Sequence, residues 1–126
     1  MNTTTGREPV VTTELPWTPA ERTETGALSR AFLDGVVDRL ATDHEARVRD
    51  VAARVSHVEH AAQYLRDITH GTSEVTTSVV HESRHCCVID VTVARDDRRA
   101  ALIARRTYHY VYDVDRLSVR PDGNID

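Results

Sequence analysis

The chain has 126 residues, of which 40% are hydrophobic, and this length suits a single domain with one core. Its net charge is −4 and charges of both signs are interspersed, which argues against a nucleic-acid surface because such a surface needs a basic patch. No apolar run approaches the length of a membrane span, and the first residues lack a signal-peptide pattern. These features predict a cytoplasmic protein.

The first predicted element is a short strand. Residues 9–15 contain Val10, Val11 and several threonines, and Pro16 and Pro19 follow directly. The polar residues 1–8 and 121–126 are expected to be flexible, so that the folded domain covers residues 9–120.

A helical period comes next, because apolar residues recur at spacings of three and four: Leu28, Ala31, Phe32, Val36 and Leu40. The period predicts a helix of about four to five turns. Thr23 and Thr25 are the expected caps, and Glu24 suits the positive end of the helix dipole. Residues 42–44, Thr-Asp-His, are expected to end the apolar stripe.

Residues 45–67 fit two interpretations. A heptad-like stripe of apolar residues would make them a second helix, ahead of a three-stranded meander: Val48, Val51, Val55, Val58, Ala62 and Leu65. The β-branched content, and an ending that resembles a strand entering a turn before Gly71, favour a strand instead. We therefore predict a strand over roughly Ala53 to Ile68.

Three further strands are predicted after this segment. Residues 74–81 alternate between polar and apolar positions, residues 87–93 do the same, and residues 101–112 form the longest run, rich in Tyr, Val and Ile. Residues 95–98, Arg-Asp-Asp-Arg, provide a polar turn before the last run. The element order is therefore β-α-β-β-β-β, which is an α+β fold.

The cysteines and histidines do not predict a metal site. Cys86 and Cys87 are adjacent on a strand and point to opposite faces, which indicates two free thiols rather than a disulfide or a metal pair. His57 and His60 are three residues apart, and the pair at residues 81 and 85 is four apart. Those spacings converge only on a helix, whereas the second pair lies where two predicted strands meet at a turn.

Residues 25–34, TGALSRAFLD, resemble the start of the central helix in the hotdog-fold acyl-CoA thioesterases, especially the branch related to the phenylacetate-pathway thioesterases. That branch begins its helix with His-Gly-Gly and has an acidic residue one or two turns later. Gly26 matches the first glycine, Ala27 the second and Asp34 the acid. Thr25 stands where the family has histidine, and Ala27 replaces a glycine.

The resemblance continues downstream over most of the chain. Residues 64–66, Tyr-Leu-Arg, followed by Gly71 resemble the family's aromatic-Leu-Arg-Pro segment and its Gly-Asp turn, although Asp67 stands in place of the proline. Residues 82–84, Glu-Ser-Arg, resemble the polar Gly-Arg turn that follows the next strand.

The resemblance implies a hotdog fold, in which an antiparallel sheet wraps a central helix, and hydrolysis of an acyl-CoA or acyl-carrier-protein thioester without a cofactor. Asp34 would be the general base or nucleophile, and Glu24 the reserve acid. The backbone N–H of Ala27, in the first helical turn, would donate to the thioester oxygen. Hotdog dimers take the donor and the acid from different subunits, so a homodimer or homotetramer is expected.

The expected substrate contacts are Gly26 and Thr25 at the helix start, together with Arg84 and Arg66, which would bind the phosphates of coenzyme A. Each also has a structural interpretation, as a cap or an ordinary surface arginine, and Asp34 could equally be a solvated helix residue. A hotdog dehydratase ranks lower, because the helix-start histidine is missing. The alternative from another class is a non-catalytic hotdog or curved-sheet module for ligand binding or assembly.

Overall fold

The computed structural model describes residues 9–15, 23–24 and 26–112. Its elements are β1 (Val10–Leu15), α1 (Arg30–Val48), β2 (Ala53–Tyr64), β3 (Ser73–Glu82), β4 (Cys86–Ala94) and β5 (Ala100–Tyr112). The predicted order β-α-β-β-β-β is confirmed. The two terminal segments predicted to be flexible fall outside the described residues.

The five strands form one antiparallel sheet in the order β1-β3-β4-β5-β2. β3, β4 and β5 form a meander, and β2, which precedes them in the chain, pairs with β5 and is one edge of the sheet. Helix α1 contacts β3, β4 and β5. The core lies between helix and sheet, and its fully buried members include alternate residues of β4 and the middle of α1: Cys87, Ile89, Val91, Val93 and Ala41.

The ambiguous segment contains a strand, as predicted, and the alternative of a second helix is wrong. Val51, which completed the helical stripe, is 90% exposed in the turn between α1 and β2. The strand ends at Tyr64 rather than Ile68. The backbone N–H groups of Leu65 and Arg66 both donate to the carbonyl of Ala101, and the chain leaves the sheet there.

Helix α1 begins four residues after Gly26, because the chain first makes a turn and a bridge. Gly26 has a φ of +86° and donates its N–H to the carbonyl of Thr23 at 2.9 Å, a conformation that glycine adopts without strain. Leu28 then pairs with Ile68, its N–H donating to that carbonyl at 2.8 Å.

The cap of α1 is Ser29, whose Oγ accepts from the N–H of Phe32 at 3.1 Å. The prediction of a cap at Thr23 is therefore wrong, and Thr25 lies outside the described residues. The first turn contains no acidic residue, so Glu24 does not occupy the positive end of the helix, contrary to the prediction.

Helix α1 also continues beyond residues 42–44, its predicted end, as far as Val48. Two polar residues in this last part of the helix belong to its buried face: His44 is 2% exposed and Glu45 is fully buried. His44 Nδ1 lies 2.7 Å from Thr77 Oγ1, so a polar position can extend the buried stripe when it has a partner. Across residues 9–15, 23–24 and 26–112, no helix has the length and apolar composition of a membrane span.

Candidate active site

A cleft of about 260 Å³ opens at the N-terminal end of α1. Its walls come from the bridge and first turns of the helix and from the segment that follows β2: Leu28, Arg30, Leu33, Tyr64, Leu65, Arg66, Asp67 and Ile68. The pairing of Leu28 with Ile68 brings these two segments together. Leu28, Leu33 and Ile68 are buried, whereas Arg30, Arg66 and Asp67 are exposed. The cleft therefore combines an apolar part with a charged rim.

Asp34 lies beside this cleft. The hydroxyl of Tyr64 donates to its Oδ1, and the guanidinium carbon of Arg30 lies 4.5 Å from the centroid of the Tyr64 ring. Arg30 and Asp34 are four residues apart on α1, so both project from the same face of the helix over the end of β2. The contacts orient one carboxylate oxygen, while Asp34 as a residue remains exposed.

Ala27 does not lie in the first turn of the helix, and that prediction is wrong. It precedes the Ser29 cap by two residues, is 5% exposed, and its carbonyl accepts from the N–H of Thr23 at 2.7 Å. The first-turn donors of the observed helix belong to Arg30 and Ala31, which have no acceptor within the helix. Any use of the helix terminus as an anion site therefore falls to these two groups.

The remaining predicted site residues are dispersed. Arg66 lines the cleft, with one guanidinium nitrogen donating to the carbonyl of Ala100 at 2.7 Å. Arg84 lies near the other end of α1, its guanidinium carbon 4.5 Å from the Tyr112 ring centroid, beside a second cleft of about 370 Å³. Glu24 is exposed in the turn before Gly26. Arg66 thus lines the same cleft as Tyr64, the partner of Asp34, whereas Arg84 does not.

The sequence did not identify as site residues Arg30 and Tyr64, which contact each other beside Asp34. Arg30 had a signal, because it precedes the acid by one helical turn. Tyr64 had only its place in the aromatic-Leu-Arg segment, since nothing in the spacing of residues 34 and 64 predicts a contact.

A second polar cluster, which spacing did not predict, is buried between α1 and β5. Glu45 accepts two hydrogen bonds from Arg49, both at 2.9 Å, and one from the Tyr110 hydroxyl at 2.6 Å. Burial, followed by the hydrogen bond to Glu45, raises the pKa of Tyr110. Burial, with Glu82 and Glu45 nearby, raises the pKa of Cys87 to about 11. The Tyr110 hydroxyl and the Cys87 thiol therefore keep their protons near the Glu45 carboxylate, which suits a structural role.

The structural comparison gives many related folds. A thioesterase from Haemophilus influenzae superposes with a TM-score of 0.72 at 12% identity, covering 83% of this chain and 73% of its own. A hypothetical thioesterase from Streptococcus pneumoniae, solved with coenzyme A, gives 0.72 at 16% identity over 85% and 82% of the two chains. A Streptococcus mutans protein bound to acetyl-CoA gives 0.71 at 16% identity, over 85% of each chain.

These neighbours are hotdog-fold proteins. The chain has the hotdog fold. The predicted fold class is therefore confirmed, with α1 as the central helix and the five-stranded sheet around it. No model of a known protein family matches the sequence, and neither does any curated protein. At these identities the likeness concerns the fold, and the chemistry of the hotdog cleft has to be argued from its own residues.

Proposed function

We propose that this hotdog protein hydrolyses an acyl thioester of coenzyme A or of an acyl carrier protein. One observation supports this above all: a carboxylate on the central helix, Asp34, is oriented by Tyr64 beside a partly apolar cleft at the helix N-terminus. Similar hotdog structures contain coenzyme A or acetyl-CoA. We also propose that the chain is related to the phenylacetate-pathway branch of the family, because residues 25–34 resemble the start of that branch's helix.

Asp34 would act on the thioester carbonyl directly or through water. With Oδ1 engaged by Tyr64, Oδ2 is the oxygen available to take a proton from water as that water attacks the carbonyl carbon. The carbonyl then re-forms as its C–S bond breaks and the thiolate leaves, and the proton held by Asp34 passes to the thiolate, which restores the carboxylate. Because Asp34 is exposed in one subunit, the reaction would require another surface to exclude bulk water.

The oxyanion would be stabilised at the start of α1. The N–H groups of Arg30 and Ala31 are the donors of the first turn, and the helix dipole favours negative charge at this end. The N–H of Ala27 would be a further donor, presented to the substrate by the segment that precedes Ser29. Glu24 stays the reserve acid on the same segment.

Substrate binding would use Gly26, its sequence neighbour Thr25, and arginines for the phosphates of the nucleotide. Arg66 is the stronger candidate, since it lines the cleft and arginine pairs with phosphate in a bidentate manner. Arg84 lies toward the opposite end of α1, so it would contact the substrate of this cleft only from another subunit.

We propose a homodimer, or a pair of dimers, as the active form. β2 is an edge strand of 12 residues, and among the described residues its outer edge has no strand partner. A long open edge is a template for pairing with a second chain. Pairing there would extend the sheet and bring a second central helix toward Asp34. Light scattering should give a molar mass of two or four times the 14.1 kDa of one chain. An active monomer would contradict a site shared between subunits.

The second candidate is a hotdog module that binds an acyl ligand without cleaving it. Ala27 outside the first helical turn favours this reading, because the donor that the family resemblance implies is displaced.

A panel of short-chain, long-chain and aromatic acyl-CoA thioesters, assayed by thiol release, separates the two candidates. The enzyme should turn over at least one of them. Binding of acyl-CoA in calorimetry without any thiol release would favour the module. Repeating the best acyl group on carrier protein would then identify the carrier.

A further inference from the structure

The outer face of the sheet, opposite α1, has a cluster of nitrogen and oxygen ligands that the proposed hydrolysis does not use. It consists of His57 and Glu59 on β2 and His109 on β5, and their potential ligand atoms all lie within 4.8 Å of one another. His57 and His109 are register partners, and Glu59 follows His57 by two residues and therefore shares its face. We infer that this outer-face cluster binds a divalent transition-metal ion, zinc in the first instance.

The ligand types and spacing suit zinc. Zinc binds imidazole nitrogen and carboxylate oxygen at about 2.0–2.2 Å in a tetrahedral arrangement, which separates neighbouring ligand atoms by about 3.3 Å. His109 Nε2 and Glu59 Oε1 are already 3.3 Å apart. The ligand nitrogen of His57 lies within 4.8 Å of the other two ligand atoms. It therefore has to approach them by no more than about 1.5 Å to reach the spacing of a tetrahedral site.

His109 Nε2 lacks a satisfactory partner in the metal-free protein. The atom is buried and, within the described residues, makes no hydrogen bond of acceptable geometry, even though the Glu59 carboxylate is near. A buried polar atom without a partner costs free energy. A metal ion between this nitrogen and Glu59 would supply the missing interaction.

Hydrogen bonds around His57 set its tautomer for metal binding. The hydroxyl of Ser56 donates its one hydrogen to the backbone carbonyl of His109 at 3.1 Å. The same Oγ lies 3.2 Å from His57 Nδ1, so in that contact the hydroxyl accepts and Nδ1 carries the proton. The neutral ring then has its lone pair on Nε2, and metal-binding histidines commonly donate their other N–H in this way.

One rearrangement is required. The two imidazole rings are stacked, with centroids 4.2 Å apart and planes inclined by 7°. A metal ion lies near the plane of each ring that binds it, so two parallel rings cannot share one ion. Since His57 is exposed and His109 is half-buried, the His57 ring is the one expected to turn.

The test is calorimetric titration of the metal-free, full-length protein with Zn²⁺ alone. One ion per chain should bind, and zinc should raise the melting temperature, because an ion that binds only the folded state stabilises it. His57→Ala and His109→Gln should each abolish both effects. Ser56→Ala should weaken zinc binding by about 10- to 100-fold, as loss of an outer-shell partner typically does.

Two matched controls define the site. His60→Ala removes a histidine from the opposite face of the same strand, and Cys86→Ser removes the thiol that is the β4 register partner of His109. Both variants should bind zinc as the wild type does. Each variant's metal-free circular dichroism spectrum should match the wild type, which excludes misfolding as the cause of lost binding.

Three outcomes would overturn the inference: no zinc binding by the wild type, unchanged affinity in both His57→Ala and His109→Gln, or equal loss in His60→Ala. Zinc affinity is measured without substrate, so its result is separate from that of the thioester assay.

Discussion

The hydroxyl of Tyr64, the last residue of β2, donates a hydrogen bond to the carboxylate of Asp34 on the central helix. The bond joins the helix to the end of the edge strand, at the point where the chain leaves the sheet and lines the cleft. It is the contact on which the proposed chemistry depends, because it orients the carboxylate that would activate water.

Tyr64→Phe should lower kcat by about tenfold and leave KM nearly unchanged, because the variant loses the orientation of Asp34 but keeps the ring that lines the cleft. Steady-state kinetics on the best acyl-CoA substrate measures this. A rise in KM alone would instead assign Tyr64 to substrate binding. Tyr112→Phe, whose hydroxyl donates to the carbonyl of Arg84, is the matched control and should retain the wild-type kcat.

Two glycine-to-alanine variants should change stability in opposite directions. Gly71 has a φ of +80°, and a Cβ there would meet the carboxyl group of Asp96, so Gly71→Ala should lower the free energy of unfolding by about 1–2 kcal/mol. Gly35 lies within α1 and a Cβ there meets nothing within 4 Å. Gly35→Ala should therefore raise the free energy of unfolding by about 0.5–1 kcal/mol. Urea denaturation would decide, and a shift of the same sign in both would contradict the backbone argument.

Removing the hydroxyl of Tyr110 should cost about 1–2 kcal/mol of stability, because it donates to the fully buried Glu45. Tyr110→Phe, compared with Tyr112→Phe in thermal or urea unfolding, measures the difference within one strand. Equal losses of stability in the two variants would show that the buried hydrogen bond stabilises the fold no more than the exposed one does.

The two adjacent cysteines should react at different rates. Cys86 is partly exposed, whereas Cys87 is fully buried and its pKa is raised to about 11. Since the thiolate is the reactive form, a thiol reagent should modify one cysteine in the folded protein and two after unfolding. Cys86→Ser should remove the rapid phase, and rapid modification of Cys87 would contradict its burial.

The raised pKa of Cys87 also predicts a pH dependence of stability. In the unfolded chain the thiol ionises near its ordinary value of 9, while the folded protein keeps the proton until about pH 11. The folded state therefore binds more protons in that window, and the free energy of unfolding should fall as pH rises through it. Cys87→Ala should decline less steeply than the wild type over the same range, and parallel curves would contradict the assignment.

Hydrophobic periods predicted α1, β3, β4 and β5, because these strands alternate and the helix repeats at three and four. The apolar spacing of β2 also fitted a helix, and its β-branched content was needed to predict a strand. The helix ends were not predictable in the same way. His44 and Glu45 are polar residues in buried positions with partners on the sheet, and Leu28 is an apolar residue that belongs to a bridge rather than to the helix.

Contacts across the fold were the least accessible to sequence reasoning. Asp34 was identified through a motif, but its partner Tyr64 depends on how β2 passes the helix. The pairing of His57 with His109 depends on the register of β2 against β5, including the irregularity between Val55 and His57. Strand register is set by the whole sheet, and no local spacing encodes it.

The most direct test of the proposed chemistry compares Asp34→Asn with Asp38→Asn in the thiol-release assay. Both residues are exposed on α1, one turn apart, and Asp38 accepts from Arg106 at 2.7 Å rather than from a residue of the cleft. Asp34→Asn should lower kcat by about 10²- to 10⁴-fold, as loss of a general base does, while Asp38→Asn should hydrolyse the substrate at nearly the wild-type rate. Wild-type turnover by Asp34→Asn would contradict the account.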